Sequence, residues 1–305
     1  MPGLITASLT AIAAATAAPS PEALAAERAF ILRARAIAAD EACNLFSAAE
    51  RRALEAGLEV SRAELRAAGA PAHRIDAGFA RAAAYPALSD CGSEEIASLA
   101  DAVRGAHRAY MQERRRTFSG PHRHWAANRG ALEPGDWAVV QSLGGETRLG
   151  WALDETGEGA LLLAAAVDTR PASAVLVLRD PARAAPTDAT AGGLVSGASD
   201  DPLAAFAPPA WARRTVFASR RIDENFAGTL LSEDEPPARR AGFGFPAHAF
   251  DAMAKLDPRE SARVELRGAD GSVMQAWWIE IGGLRAAVDF IAAEDAARRA
   301  ASGAR

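Results

Sequence analysis

The feature that most constrains this chain is a single change of hydrophobic period. Apolar side chains recur at helical spacing up to about Arg116 and alternate at strand spacing from about Trp137 onward. Two periods in succession, rather than interleaved, make a helical unit followed by a sheet unit. The expected fold class is therefore a two-domain α+β protein. An N-terminal α-helical hairpin array precedes a C-terminal antiparallel β-sandwich with a terminal helix. The 305 residues, 50% hydrophobic and 24% charged, are enough for both cores. They exclude collagen-like, disulfide-dense and wholly disordered chains.

The helical domain is read over residues 20–117. Ser20-Pro21 offers an N-cap followed by proline at the first helical position, and Leu24, Ile31 and Ala34 form a stripe that runs towards Cys43. Ser47 and Glu50 have capping-box spacing and open a second helix, with Leu54, Leu58 and Leu65 on its stripe and Gly69 and Pro71 as its stop. A shorter third helix carries Ile75 and Phe79 and closes at Pro86. The fourth starts near Ser93 and has the cleanest period, through Ile96, Leu99, Val103, Ala106 and Tyr110. Short loops make neighbouring helices antiparallel. That brings the only two cysteines, Cys43 and Cys91, to one end of the array, where a disulfide between them is expected.

The segment 118–133, with Gly120-Pro121, Asn128-Arg129-Gly130 and Glu133-Pro134-Gly135 in or beside it, reads as a linker. The β-sandwich domain follows over 134–299. Expected strands cover 137–143, 147–153, 160–167, 174–179, 215–219, 229–232, 263–267 and 272–281, with helices at 247–256 and 284–299 and a long loop at 180–209. Asp270-Gly271 is a hairpin turn signal. Charge divides along the same line, net +2 over residues 1–130 and -7 over the rest.

Several short words of this second half, in their order, resemble the invasion-associated locus B family. They are Gly135-Asp136-Trp137-Ala-Val-Val, Ala160-Leu-Leu-Leu-Ala-Ala-Ala-Val, Phe250-Asp-Ala-Met, Arg263-Val-Glu-Leu and Ile281-Gly-Gly-Leu-Arg-Ala-Ala287. The resemblance spans residues 135–292 and implies a secreted β-sandwich of the alphaproteobacterial envelope. The family's usual cysteines are absent from this segment, and the helical half has no counterpart in it.

Residues 1–18 form an apolar run ending in Ala15-Thr16-Ala17, the form of a signal-peptide core and cleavage site, although no Lys or Arg precedes it. Export to the periplasm or beyond is the expected localisation, with a cytoplasmic protein carrying reduced thiols as the alternative. No membrane span beyond the signal is expected. The net charge of -5 argues against a nucleic-acid partner.

Chemistry-bearing motifs are few. There is no Gly-x-Ser-x-Gly elbow, no His-Glu-x-x-His and no Walker loop, since Lys255 is the lone lysine. No catalytic residue, cofactor or metal is assigned. The candidate binding residues cluster at the domain junction: Arg114, Arg115 and Arg116, then His122, His124 and Trp125. Arginines with interleaved aromatics suit an anionic ligand. His122 and His124 have the spacing of two metal ligands on one strand face, with His107 as a third. Trp277-Trp278 on one strand points one ring inward and one outward, the outer ring to be covered by the terminal helix. The expected function is an exported, non-catalytic binding protein acting on an envelope protein or cell-envelope component. The alternative is a metal-dependent hydrolase with its site in the interdomain groove.

Overall fold

The computed structural model describes residues 21–68, 70–84, 90–183, 201–231 and 239–303. The segment 1–18 expected to be a signal peptide, most of the 180–209 loop, and the helix stops at Gly69 and Pro86 lie outside the described residues.

Four helices come first: α1 (Pro21–Cys43), α2 (Ala48–Ala67), α3 (Ala72–Ala83) and α4 (Glu94–Gln112). The α2 capping box is complete: Ser47 Oγ accepts from the Glu50 N–H, and the Glu50 carboxylate accepts from the Ser47 N–H. Ser93 caps α4 by accepting from the Ile96 N–H. Helix α1 packs on α2, α3 and α4. Phe30, Ala34, Ile37, Leu58, Leu65, Ile75 and Ala100 belong to the resulting core. Small alanines let the helices approach closely but bury little area each. Cys43 and Cys91 stand as the expected pair, their Cα atoms 5.6 Å apart, and bridge the end of α1 to the start of α4.

The strands are β1 (Arg115–Ser119), β2 (His124–Asn128), β3 (Trp137–Ser142), β4 (Thr147–Leu153), β5 (Gly159–Ala166), β6 (Ser173–Arg179), β7 (Arg213–Phe217), β8 (Arg220–Ile222), β9 (Arg240–Phe245), β10 (Ser261–Arg267) and β11 (Val273–Glu280). Helices α5 (Glu224–Thr229), α6 (His248–Ala254) and α7 (Leu284–Gly303) interrupt and end the series. All pairing is antiparallel, in a seven-stranded sheet ordered β1-β2-β3-β4-β5-β9-β8 and a four-stranded sheet ordered β11-β10-β6-β7. Leu149, Leu161, Leu163 and Phe243 of the first sheet share a core with Leu176, Leu178, Val264 and Leu266 of the second. Strand β5 is apolar on both faces because Leu162 and Ala164 meet Ile222, Ala227 and Leu230 on its other side.

Four readings of the sequence are corrected. The segment 118–133 is not simply a linker, since the end of β1 and all of β2 lie in it and pair Phe118 with Trp125. These strands bury only Phe118, Trp125 and Ala127, too few apolar residues to show a period. Residues 229–232 do not begin a strand: Thr229 ends α5, whose N-terminus Asp223 caps. Strands β8 and β9 lie where no strand is expected. Finally, α7 packs against α2, β1, β2 and β3 rather than over Trp278. The Trp278 ring instead has the Arg263 guanidinium over it at 5.5 Å.

Candidate functional site

Because α7 and the β1–β2 turn reach back to α2, a groove of about 1090 Å³ lies between the helical array and the sandwich. One wall is a single face of α2, with Arg52, Ala56, Glu59, Val60, Ala63 and Arg66 at successive helical turns. The other wall takes Ser119, Pro121 and His122 from the β1–β2 turn, Leu203 and Phe206 from a short 3-10 turn, and Leu256, Pro258 and Arg259 after α6. The β11–α7 junction closes it with Glu280, Ile281, Gly282, Gly283 and Arg285. The 3-10 turn is fixed at its start. Asp201 accepts from the Leu203 N–H, and Ser261 Oγ donates to the Leu203 carbonyl at 2.7 Å.

Glu280 is the most constrained group in the groove, at 2% exposure. Its carbonyl accepts from Trp125 Nε1 at 2.7 Å and from Gln141 Nε2 at 3.1 Å, while its N–H donates to Gln141 Oε1 at 2.8 Å. One carboxylate oxygen accepts from the His122 N–H and the other from the Gly282 N–H, both at 3.1 Å. Two glycines make this seat: a Cβ on Gly120 would stand 2.4 Å from Glu280 Cγ, and one on Gly282 would stand 2.9 Å from its carboxylate. Burial pushes the Glu280 carboxyl up to about 7, against the opposing pull of the His122, Gly282 and Arg123 N–H groups and the Arg123 charge.

The groove's other carboxylates are matched. Glu55 pairs with Arg51, Glu59 with Arg62, and Asp289 with Arg285, while Arg259 is paired with Asp257 outside the lining. Arg52 and Arg66 have no ion-pair partner among the described residues. The site is thus an apolar cleft with two uncompensated cations on the α2 wall and one near-neutral carboxyl opposite. The two arginines stand at opposite ends of the α2 wall, so the cleft offers a cation for an anionic head at either end of an apolar body.

The residues expected from the sequence do not come together as one site. His122 lines the groove, its ring 5.8 Å from that of Phe206. His124 is exposed on β2 opposite Ser119. Among the described residues no three His, Cys, Asp or Glu side chains group to hold a metal. Trp125 is fully buried, its ring within the core and its N–H on Glu280, so no surface of it is left for a ligand. Arg115 and Arg116 line a separate, smaller hollow, and Arg114 is exposed with its carbonyl held by the Arg129 N–H. Arg116 pairs with Glu113 and lies over Tyr110 and Phe118. Arg123 is spent on Asp201 and on the Leu143 and Trp278 carbonyls.

The groove residues that the sequence does not single out, Arg52, Arg66 and Glu280, carry weak local signals. On α2 the two arginines look like any solvated face, and Glu280 looks like the last residue of a strand. Only the Gly282-Gly283 step after it marks a close approach, and there a Cβ on Gly283 (φ 82°) would stand 2.7 Å from the Phe118 carbonyl oxygen.

No protein-family model, no curated protein and no solved structure matches this chain.

Proposed function

We propose that this is an exported, periplasmic, non-catalytic binding protein whose ligand occupies the groove between α2 and the sandwich. The ligand is an amphipathic component of the cell envelope. One observation carries the reading: an apolar cleft of about 1090 Å³ whose α2 wall holds two arginines, Arg52 and Arg66, without ion-pair partners among the described residues. An apolar body fits between Val60, Ala63, Phe206, Leu256 and Ile281, and an anionic head meets either Arg52 or Arg66, which stand about 21 Å apart along α2. Export is supported by the cleavage-like pattern of residues 1–18, the bridging geometry of Cys43 and Cys91, and the resemblance of residues 135–292 to a secreted family.

Native mass spectrometry of the untagged protein from the periplasmic fraction tests this directly. The expected species begins near Ala18, is two hydrogens lighter than the reduced chain, and carries an added mass that organic solvent extracts. A full-length chain with two free thiols and no added mass would overturn the proposal.

A second reading, hydrolysis in the same groove, draws on the Glu280 carboxyl, whose value of about 7 suits a general acid. Its metal-dependent form needs a third ligand beside His122 and His124, and the described residues do not supply one. Loss of turnover in Glu280→Gln with retained ligand binding would establish hydrolysis. Ligand recovered chemically unchanged after incubation would favour binding alone.

A further inference from the structure

The open edge of the four-stranded sheet matches itself. Strand β7 is the last strand on its side, and no strand among the described residues pairs with its outer edge. The direction of its backbone groups follows from two hydrogen bonds. The Ala218 N–H donates to the Ala174 carbonyl, and the Asp180 N–H donates to the Ala212 carbonyl. Bonded and non-bonded pairs alternate along an antiparallel ladder, so Val216 and Arg214 also turn their N–H and C=O groups towards β6. Arg213, Thr215 and Phe217 therefore present theirs to the open edge. Their side chains stand on the outer sheet face, with Phe217 59% exposed, while Val216 faces the core.

We propose that two copies of this chain join along β7, antiparallel and two-fold symmetric about Thr215, to make one continuous eight-stranded sheet. In this register Thr215 pairs with its own copy, and Arg213 of each chain lies opposite Phe217 of the other. A guanidinium over an aromatic ring and a Thr–Thr pair are both favourable cross-strand neighbours. Arg213 Nε already donates to the Pro208 carbonyl, which steadies the side chain. Arg214 lies opposite Val216 of the second copy, so no two arginines oppose each other. A two-fold axis at Arg213 would set arginine against arginine, and an axis at Phe217 would leave half of the strand unpaired. Trp211, 52% exposed just before β7, extends the apolar strip beyond the paired residues. A contact of β7 with the opposite edge, β11, would be head-to-tail and would build a ring or an open chain rather than a two-fold dimer. Five residues a side make a small interface, so the dimer is a dissociable one.

Sedimentation equilibrium of the full chain, from low to high micromolar concentration, tests this together with four variants. Thr215→Pro removes an outward N–H without touching the β6 ladder, a position where edge strands accept proline. Phe217→Arg sets like charges opposite each other. Thr215→Cys places two cysteines in a bonded pair, at about 5.5 Å between Cα atoms, within disulfide reach. Phe217→Cys, facing Arg213 of the other copy, does not. The expected result is a wild-type mass that doubles with concentration, and at least ten-fold weaker association in Thr215→Pro and Phe217→Arg with unchanged melting of the dilute protein. Oxidation should cross-link Thr215→Cys and spare Phe217→Cys. A wild-type chain that stays monomeric throughout, or a dimer that Phe217→Arg leaves intact, would overturn the proposal.

Discussion

Replacing Glu280 by glutamine tests the energetics of the groove. Burial raises the carboxyl from its ordinary 4.5 to about 7 in the folded protein. Between those two pH values the folded chain keeps a proton that the unfolded chain has lost. Stability therefore falls as pH rises through the window. Below it both states are protonated and Glu280 contributes nothing; above it both are ionised and the full cost is present. That cost is about 3 kcal/mol, at about 1.36 kcal/mol for each pH unit that separates the two values. Glutamine removes the ionisation and adds a fixed penalty, because its NH₂ group must face the N–H of either His122 or Gly282. A donor facing a donor costs about 1–3 kcal/mol at every pH. Urea unfolding followed by tryptophan fluorescence, at about pH 4.5 and about pH 8, should show the variant less stable in acid and equal to or above wild type in base. The wild-type-to-variant difference should change by about 3 kcal/mol between the two pH values, with the other titrating groups cancelling. A difference that is the same at both would refute the assignment of a buried, late-titrating Glu280.

Other perturbations have their own expected outcomes. Arg129 is 4% exposed, donates to the Glu113, Tyr110 and Phe290 carbonyls, and has its guanidinium 3.9 Å from the Phe290 ring centre. Arg129→Met should cost about 4 kcal/mol, because it strands buried acceptors where α4, β2 and α7 meet; chemical denaturation checks it, and a loss below about 1 kcal/mol would contradict the packing described. Cys91→Ser opens a bridge that spans 48 residues of sequence. The chain-entropy model gives a loss of about 4 kcal/mol, to be read as a lower denaturation midpoint that wild type reproduces on reduction.

Elements are legible where local chemistry repeats. The caps Ser47 and Ser93 and the stripes through Leu54, Leu58 and Ile96 define α2 and α4 without reference to the rest of the chain. The hairpins at Gly144-Gly145 and Asp270-Gly271 are equally local, each with positive φ at its glycine. Strand β9 is hidden because Gly242 and Gly244 replace the apolar alternation; a Cβ on Gly242 would stand 2.1 Å from the Ile222 side chain, so the partner decides the residue. Strand β8 is three residues long and shows no period of its own. The Trp277-Trp278 alternation holds, with Trp277 packed on the core and Trp278 turned towards Arg263. What covers that outer ring does not follow from the sequence, because helix placement is set by packing at a distance. The site is the least legible part. Its walls come from α2 and from the β11–α7 junction, more than two hundred residues apart, and neither announces the other. Residue type draws attention to Trp125, which the fold spends on the Glu280 carbonyl instead.

The proposed role of the groove as an anionic amphiphile site is tested most directly by a fluorescence titration with anilinonaphthalene sulfonate. This probe joins an apolar ring system to an anionic head. Binding should saturate at one site per chain, weaken at least ten-fold in the Arg52→Ala, Arg66→Ala double variant, and disappear in Ala63→Phe, which fills the α2 wall. The double-arginine variant should melt with wild type. Binding that is unsaturable, or equal in wild type and the double-arginine variant, would contradict that role.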